Sequence, residues 1–194
     1  MSRKMVWLAV LALALPFTAF ASSIDISNAG GTLSGNSSGL SLTGSTMFKF
    51  DMIVGANLGS DSFTTGAFTS GDAQNGGTLA AGGTFTITGN GTNGVPNGVI
   101  FSGTFSSATW TLETLSDGTH NYILSGALVA PNGQVGATTQ ISVNTGMNLF
   151  SGSAMLSSGD TNLNQTAVPE PGTLSLLGTG LIGLAGILRK RSLS

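Results

Sequence analysis

Between residues 84 and 128 apolar and hydroxyl-bearing side chains alternate with a period of two, and only an extended backbone puts every second residue on one face. Thr84, Thr86 and Thr88 interleave with Phe85 and Ile87. Phe101 and Phe105 share a face with Gly103, Trp110 and Leu112 alternate with Thr109, Thr111 and Glu113, and Tyr122, Leu124 and Leu128 repeat the pattern. Upstream, Phe48, Phe50, Met52 and Val54 read as one apolar face, with Lys49 and Asp51 on the other. Half-buried strands carry this signature, and further strands are expected over residues 139–143 and 149–155.

Turn chemistry punctuates these runs. Asn93-Gly94, Asn97-Gly98, Asp117-Gly118 and Pro131-Asn132-Gly133 supply residues that accept positive φ, and Asp117-Gly118 between two alternating runs predicts a hairpin. Short strands, Gly-rich turns and no helical period predict an all-β body, an antiparallel β-sandwich or jelly-roll-like fold with a β-helix as runner-up. The repeated pattern in Phe101-Ser102-Gly103, Leu124-Ser125-Gly126 and Phe150-Ser151-Gly152 reads as core strands with a glycine where another chain approaches. The expected body covers residues 22–156, with a polar linker over 157–167.

Charge narrows the partners. Between residues 22 and 167 Lys49 is the only basic residue, against Asp25, Asp51, Asp61, Asp72, Glu113, Asp117 and Asp160. A nucleic-acid partner needs clustered Lys and Arg, so none is expected. The sequence has no cysteine, which removes thiolate catalysis and Cys-ligated metals. His120 is the single histidine, so no multi-His metal site can form and a Ser-His-Asp arrangement lacks its nucleophile pattern. Asp72 near Asn75 and Asp160 near Asn162 lack the acidic ladder of a calcium loop and read as turn formers. No cofactor, no metal and no enzymatic activity are expected; Glu113 lies opposite the Trp110 and Leu112 face, away from any aromatic sugar platform.

The two ends carry their own chemistry. Arg3 and Lys4 precede an apolar run over residues 5–15, then Pro16 and the small residues Ala19 and Ala21. This order is that of a signal peptide cut by signal peptidase before Ser22, its helix too short to remain as a permanent span. At the other end Val168-Pro169-Glu170-Pro171-Gly172 leads into the uncharged residues 173–188 and then Arg189-Lys190-Arg191. A helix over residues 174–188 rises about 22 Å, short of a ~30 Å hydrocarbon core, and the basic tail holds its end on the cytoplasmic side. The prolines keep Glu170 in an extended stretch that a membrane enzyme can grip.

Residues 168–191 closely resemble the PEP-CTERM sorting domain, with its three-part order of motif, helix and basic tail intact. The resemblance implies a diderm bacterium carrying an exosortase that processes the chain near Pro169, Glu170 and Pro171, transient anchoring in the inner membrane through the C-terminal transmembrane helix, delivery to the cell surface or medium, and an association with exopolysaccharide or biofilm. Two roles for the body follow: a non-enzymatic surface or matrix protein, or a carbohydrate-binding module in which Trp110 or Tyr122 stacks on sugar rings. Alternation favours core packing for both rings.

Overall fold

The computed structural model describes residues 22–131 and 135–165 of the chain. Twelve strands form within these residues: β1 (Ser22–Ala29), β2 (Thr32–Asn36), β3 (Gly39–Phe50), β4 (Ile53–Thr64), β5 (Phe68–Asp72), β6 (Gly76–Leu79), β7 (Gly82–Asn90), β8 (Asn97–Thr114), β9 (His120–Val129), β10 (Val135–Gly146), β11 (Ser153–Met155) and β12 (Ser158–Gln165). The expected signal helix over residues 1–21 and the membrane helix over 174–188 lie outside the described residues. Among those described, no helix is long and apolar enough to cross a membrane.

Neighbouring strands run in the order β1-β12-β10-β9-β8-β7-β4-β3, and β1 also pairs with β3, which closes the ring. The expected sandwich or jelly roll is therefore corrected to a closed antiparallel barrel, and the β-helix is excluded because the pairings are antiparallel. The same inward and outward alternation serves one sheet closed on itself or two sheets face to face. β2 and β11 extend the sheet beyond β3, and the β5–β6 hairpin adds to β8.

The barrel interior holds Phe85, Phe101 and Phe105, which alternation picked out, and Phe63, which it did not. Phe63, Phe85, Phe101 and Phe105 make edge and stacked contacts with ring centroids 5.7–6.3 Å apart. Gly126 makes room for one of these rings, since a Cβ there would stand 2.6 Å from Phe105 Cε1. Further along β8, Trp110 stacks on Tyr122 at 5.2 Å, and Phe150 packs against both. Many outward positions are hydroxyls and amides, and Phe48, Val54, Val99 and Val129 are exposed among them.

Three other expectations change. Residues 48–54 do not present one apolar face: a turn at Asp51 (φ 53°) and Met52 reverses the chain, and Phe48, Met52 and Val54 are 40%, 90% and 74% exposed. A bulge opposite β1 skips Phe48, so the run that looked continuous is a hairpin with a shifted register. Of residues 149–155 only Ser153–Met155 is strand. The polar segment taken for a linker is β12, a strand of the ring, so the body runs to Gln165. By contrast Asp117-Gly118 does form the β8–β9 turn, with Gly118 at φ 85° and the Asp117 carboxylate accepting from Thr119 N–H and Oγ1.

Candidate functional site

Trp110 and Tyr122 are 1% and 0% exposed, which overturns sugar stacking by either ring. Their polar ends act instead on the β5–β6 turn: Trp110 Nε1 donates to the Ala73 carbonyl at 2.8 Å and Tyr122 Oη to that of Gln74 at 2.6 Å. Phe150 N–H donates to Tyr122 Oη at 3.0 Å, so the phenol ties two loops together. Within the turn Asp72 accepts from Asn75 side chain and backbone and from Gln74 N–H, which holds its carboxyl below the usual carboxylate range. The expected Asx turn stands at this position.

Above this clamp opens a cleft of about 480 Å³. Phe68, Ala73 and Phe150 give it an apolar wall, and Asn36, Gln74 and Ser151 bring amides and a hydroxyl. The Asp72 carboxylate lines it too, so the cleft joins an aromatic face and amides to one acid.

A polar row crosses the outside of the barrel. By register it runs Thr78, Thr109, Ser125, Gln140, Asp160, Ser27 and Lys49, from β6 through β8, β9, β10, β12 and β1 to β3. Ser27 Oγ donates to Asp160 at 2.6 Å and Lys49 Nζ donates to Asp25 at 2.5 Å. The Asp25 carboxylate, through that hydrogen bond and its charge, raises the Lys49 pKa. A depression of about 340 Å³ follows the row, lined by Asp25, Ser125, Thr138, Gln140, Asp160 and Asn162. Glu113 is exposed away from it, and the His120 ring meets Thr114 Oγ1 at 3.1 Å.

One acidic residue was not singled out from the sequence. Asp61 is 2% exposed inside the barrel, and burial pushes its carboxyl up to about 7. Its signal is position: it stands two residues before Phe63 and so shares that inward face. The Asn28 amide, oriented to satisfy both its ends, points its nitrogen at the Gly159 carbonyl (2.9 Å) and Asp61 Oδ2 (3.3 Å), and its oxygen accepts from the Ser45 hydroxyl at 2.6 Å. Asp61 Oδ1 has no hydrogen-bond partner among the described residues.

The chain enters and leaves the barrel at one place, because Ser22 pairs with Gln165. Two residues beyond Gln165 a protein-family match begins: residues 167–191 fit the PEP-CTERM protein-sorting motif. The chain carries a PEP-CTERM sorting motif. That motif implies an exported, surface-directed protein processed by an exosortase. Pro169, Glu170 and Pro171, with the basic Arg189, Lys190 and Arg191, fall within the PEP-CTERM match; they lie outside the described structure, and so do Ala19 and Ala21 of the expected signal-peptidase site. Comparison with curated proteins and with solved structures returns no match.

Proposed function

We propose that the chain is an exported, non-enzymatic surface or matrix protein, directed by its PEP-CTERM motif and presenting a barrel exterior of hydroxyls and amides to exopolysaccharide. The observation that carries this reading is the outward polar row together with Lys49, the one Lys or Arg among the described residues, which is engaged by Asp25. Such a surface exchanges hydrogen bonds with a hydrated neutral polymer and repels an acidic one. Three of the acids have structural work: Asp72 and Asp117 fasten turns, and Asp61 is sealed in the core. Replacing Pro169, Glu170 and Pro171 together with Ala is expected to block maturation, so that precursor of unprocessed mass accumulates in the membrane fraction. Normal mass and location of that variant would refute the sorting role.

A second reading, from the binding-module class, rests on the cleft. There Phe68 takes the stacking role that Trp110 and Tyr122 cannot, with the Asn36 and Gln74 amides reading sugar hydroxyls. Passed over an immobilised neutral polysaccharide, the body is expected to be retained, and Phe68→Ala to weaken retention roughly fivefold to tenfold. Equal retention of parent and variant would exclude the cleft.

A further inference from the structure

The Asn28, Ser45 and Asp61 cluster lies where the ring closes. β1 is the closing strand, held on one edge by β12 and on the other by β3 across a bulge between Ser27 and Asn28. Asn28 comes from β1, Ser45 from β3, and Asp61 from β4 directly opposite Ser45. The three are 0%, 1% and 2% exposed, so each sits inside the barrel wall rather than on it.

Among the described residues no charged group balances Asp61. On β1 and β3, Asp25 and Lys49 pair with each other at part-exposed positions; on β12, Asp160 is exposed and accepts from Ser27; β7 sets Ile87 opposite Asp61. Burial is the sole cause of its raised pKa. Within the cluster only the Asn28 amide points an N–H at the carboxyl, and it shares that nitrogen with the Gly159 carbonyl.

We propose that this cluster is a proton-operated latch on the β1 seam, closed while the Asp61 carboxyl is neutral and loosened when it ionises. A neutral carboxyl tolerates the interior with one oxygen unpartnered; a carboxylate there must be hydrated, and parting β1 from β3 brings water to it. The folded pKa lies near 7, above the ordinary 3.8. The stabilising effect of the proton is therefore complete below about pH 4, is lost between roughly pH 4 and 7, and is flat above. Asp72 and Asp117, whose pKa values are lowered, act below that window, so they do not mask it. An exported protein meets the pH of its surroundings, so acid tightens the ring.

Hydrogen exchange of the mature protein between pH 4.5 and 7.5, corrected for intrinsic rates, tests the latch. Protection of the amides of β1 and of the β3 and β12 edges facing it is expected to fall about tenfold per pH unit up to about 7 and then level off. In the isosteric Asp61→Asn the same amides should stay flat. Constant protection in the parent, or an equal fall in Asp61→Asn, overturns the proposal. So does protection of those amides equal to that of β8 and β9 at every pH, because any opening that hydrates Asp61 shares the slope and only lower protection along the seam marks a local parting there. Infrared difference spectra add an independent readout: a buried protonated-carboxyl band that fades as pH rises through about 7 and is missing in Asp61→Asn. A difference spectrum without that band also overturns the latch.

Discussion

A chain ending at Ser157 is expected not to fold. Removing Ser158–Gln165 takes away β12, which pairs with β1 on one side and β10 on the other, so the barrel opens along two seams at once. It also strips Leu163 and Thr161 from the interior, together with the buried hydrogen bond between Thr161 and Thr139 at 2.9 Å. Burial of one leucine is worth about 1.5–3 kcal/mol, and a hydrogen bond about 1 kcal/mol more. The larger loss is the two ladders, whose unpaired groups on β1 and β10 become bare edges open to aggregation. A domain with a total stability of about 5–15 kcal/mol does not survive that. Circular dichroism against temperature checks it: the chain ending at Gln165 should melt cooperatively and the shorter one should show no transition. A cooperative melt from the chain ending at Ser157 would mean that residues 158–165 are the linker their composition suggested.

Trp110→Ala is expected to be the most damaging single change, at about 3–5 kcal/mol. The indole is 1% exposed, stacked on Tyr122 and edge-on to Phe150, so its removal leaves a cavity bounded by two rings that cannot both move in. The change also frees the Ala73 carbonyl and with it the turn that roofs the aromatic cluster. A drop in melting temperature on the order of 10–20 °C is the corresponding reading for a body of this length. Tyr122→Phe separates the two effects, since it keeps the ring and removes only the hydroxyl that joins Gln74 to Phe150. It should cost about 1–3 kcal/mol, less than the indole. Equal losses for the two variants would show that the loop clamp, and not the packing, dominates.

The sequence by itself determined the class of the body, the faces of most of its strands and the address at its end. Phe85 and Ile87 against Thr84 and Thr86, or Tyr122 and Leu124 against Ser125, are local facts: a period of two places them whatever the strand pairs with. The Asp117-Gly118 turn was legible for the same reason, because its Asx bonds span two residues. The sorting motif was legible as a linear signal, and its family match needs no fold. Where local signals misled, register was the cause. Phe48 to Val54 kept their alternation on paper, but a turn at Asp51 and a bulge at Phe48 reset which residues face inward.

Only the tertiary structure decided that the sheet closes on itself. Closure depends on Ser22–Ala29 reaching both β3 and β12, a pairing between segments about 130 residues apart that no short-range pattern records. It also decided the fate of the polar groups. Asp160 and Asp61 are both aspartates within largely polar stretches, yet one lies on the outer wall beside Ser27 and the other inside beside Asn28. Asp61 ended inside because the ring that contains it closed around it, and burial rather than composition sets the chemistry of a carboxyl group.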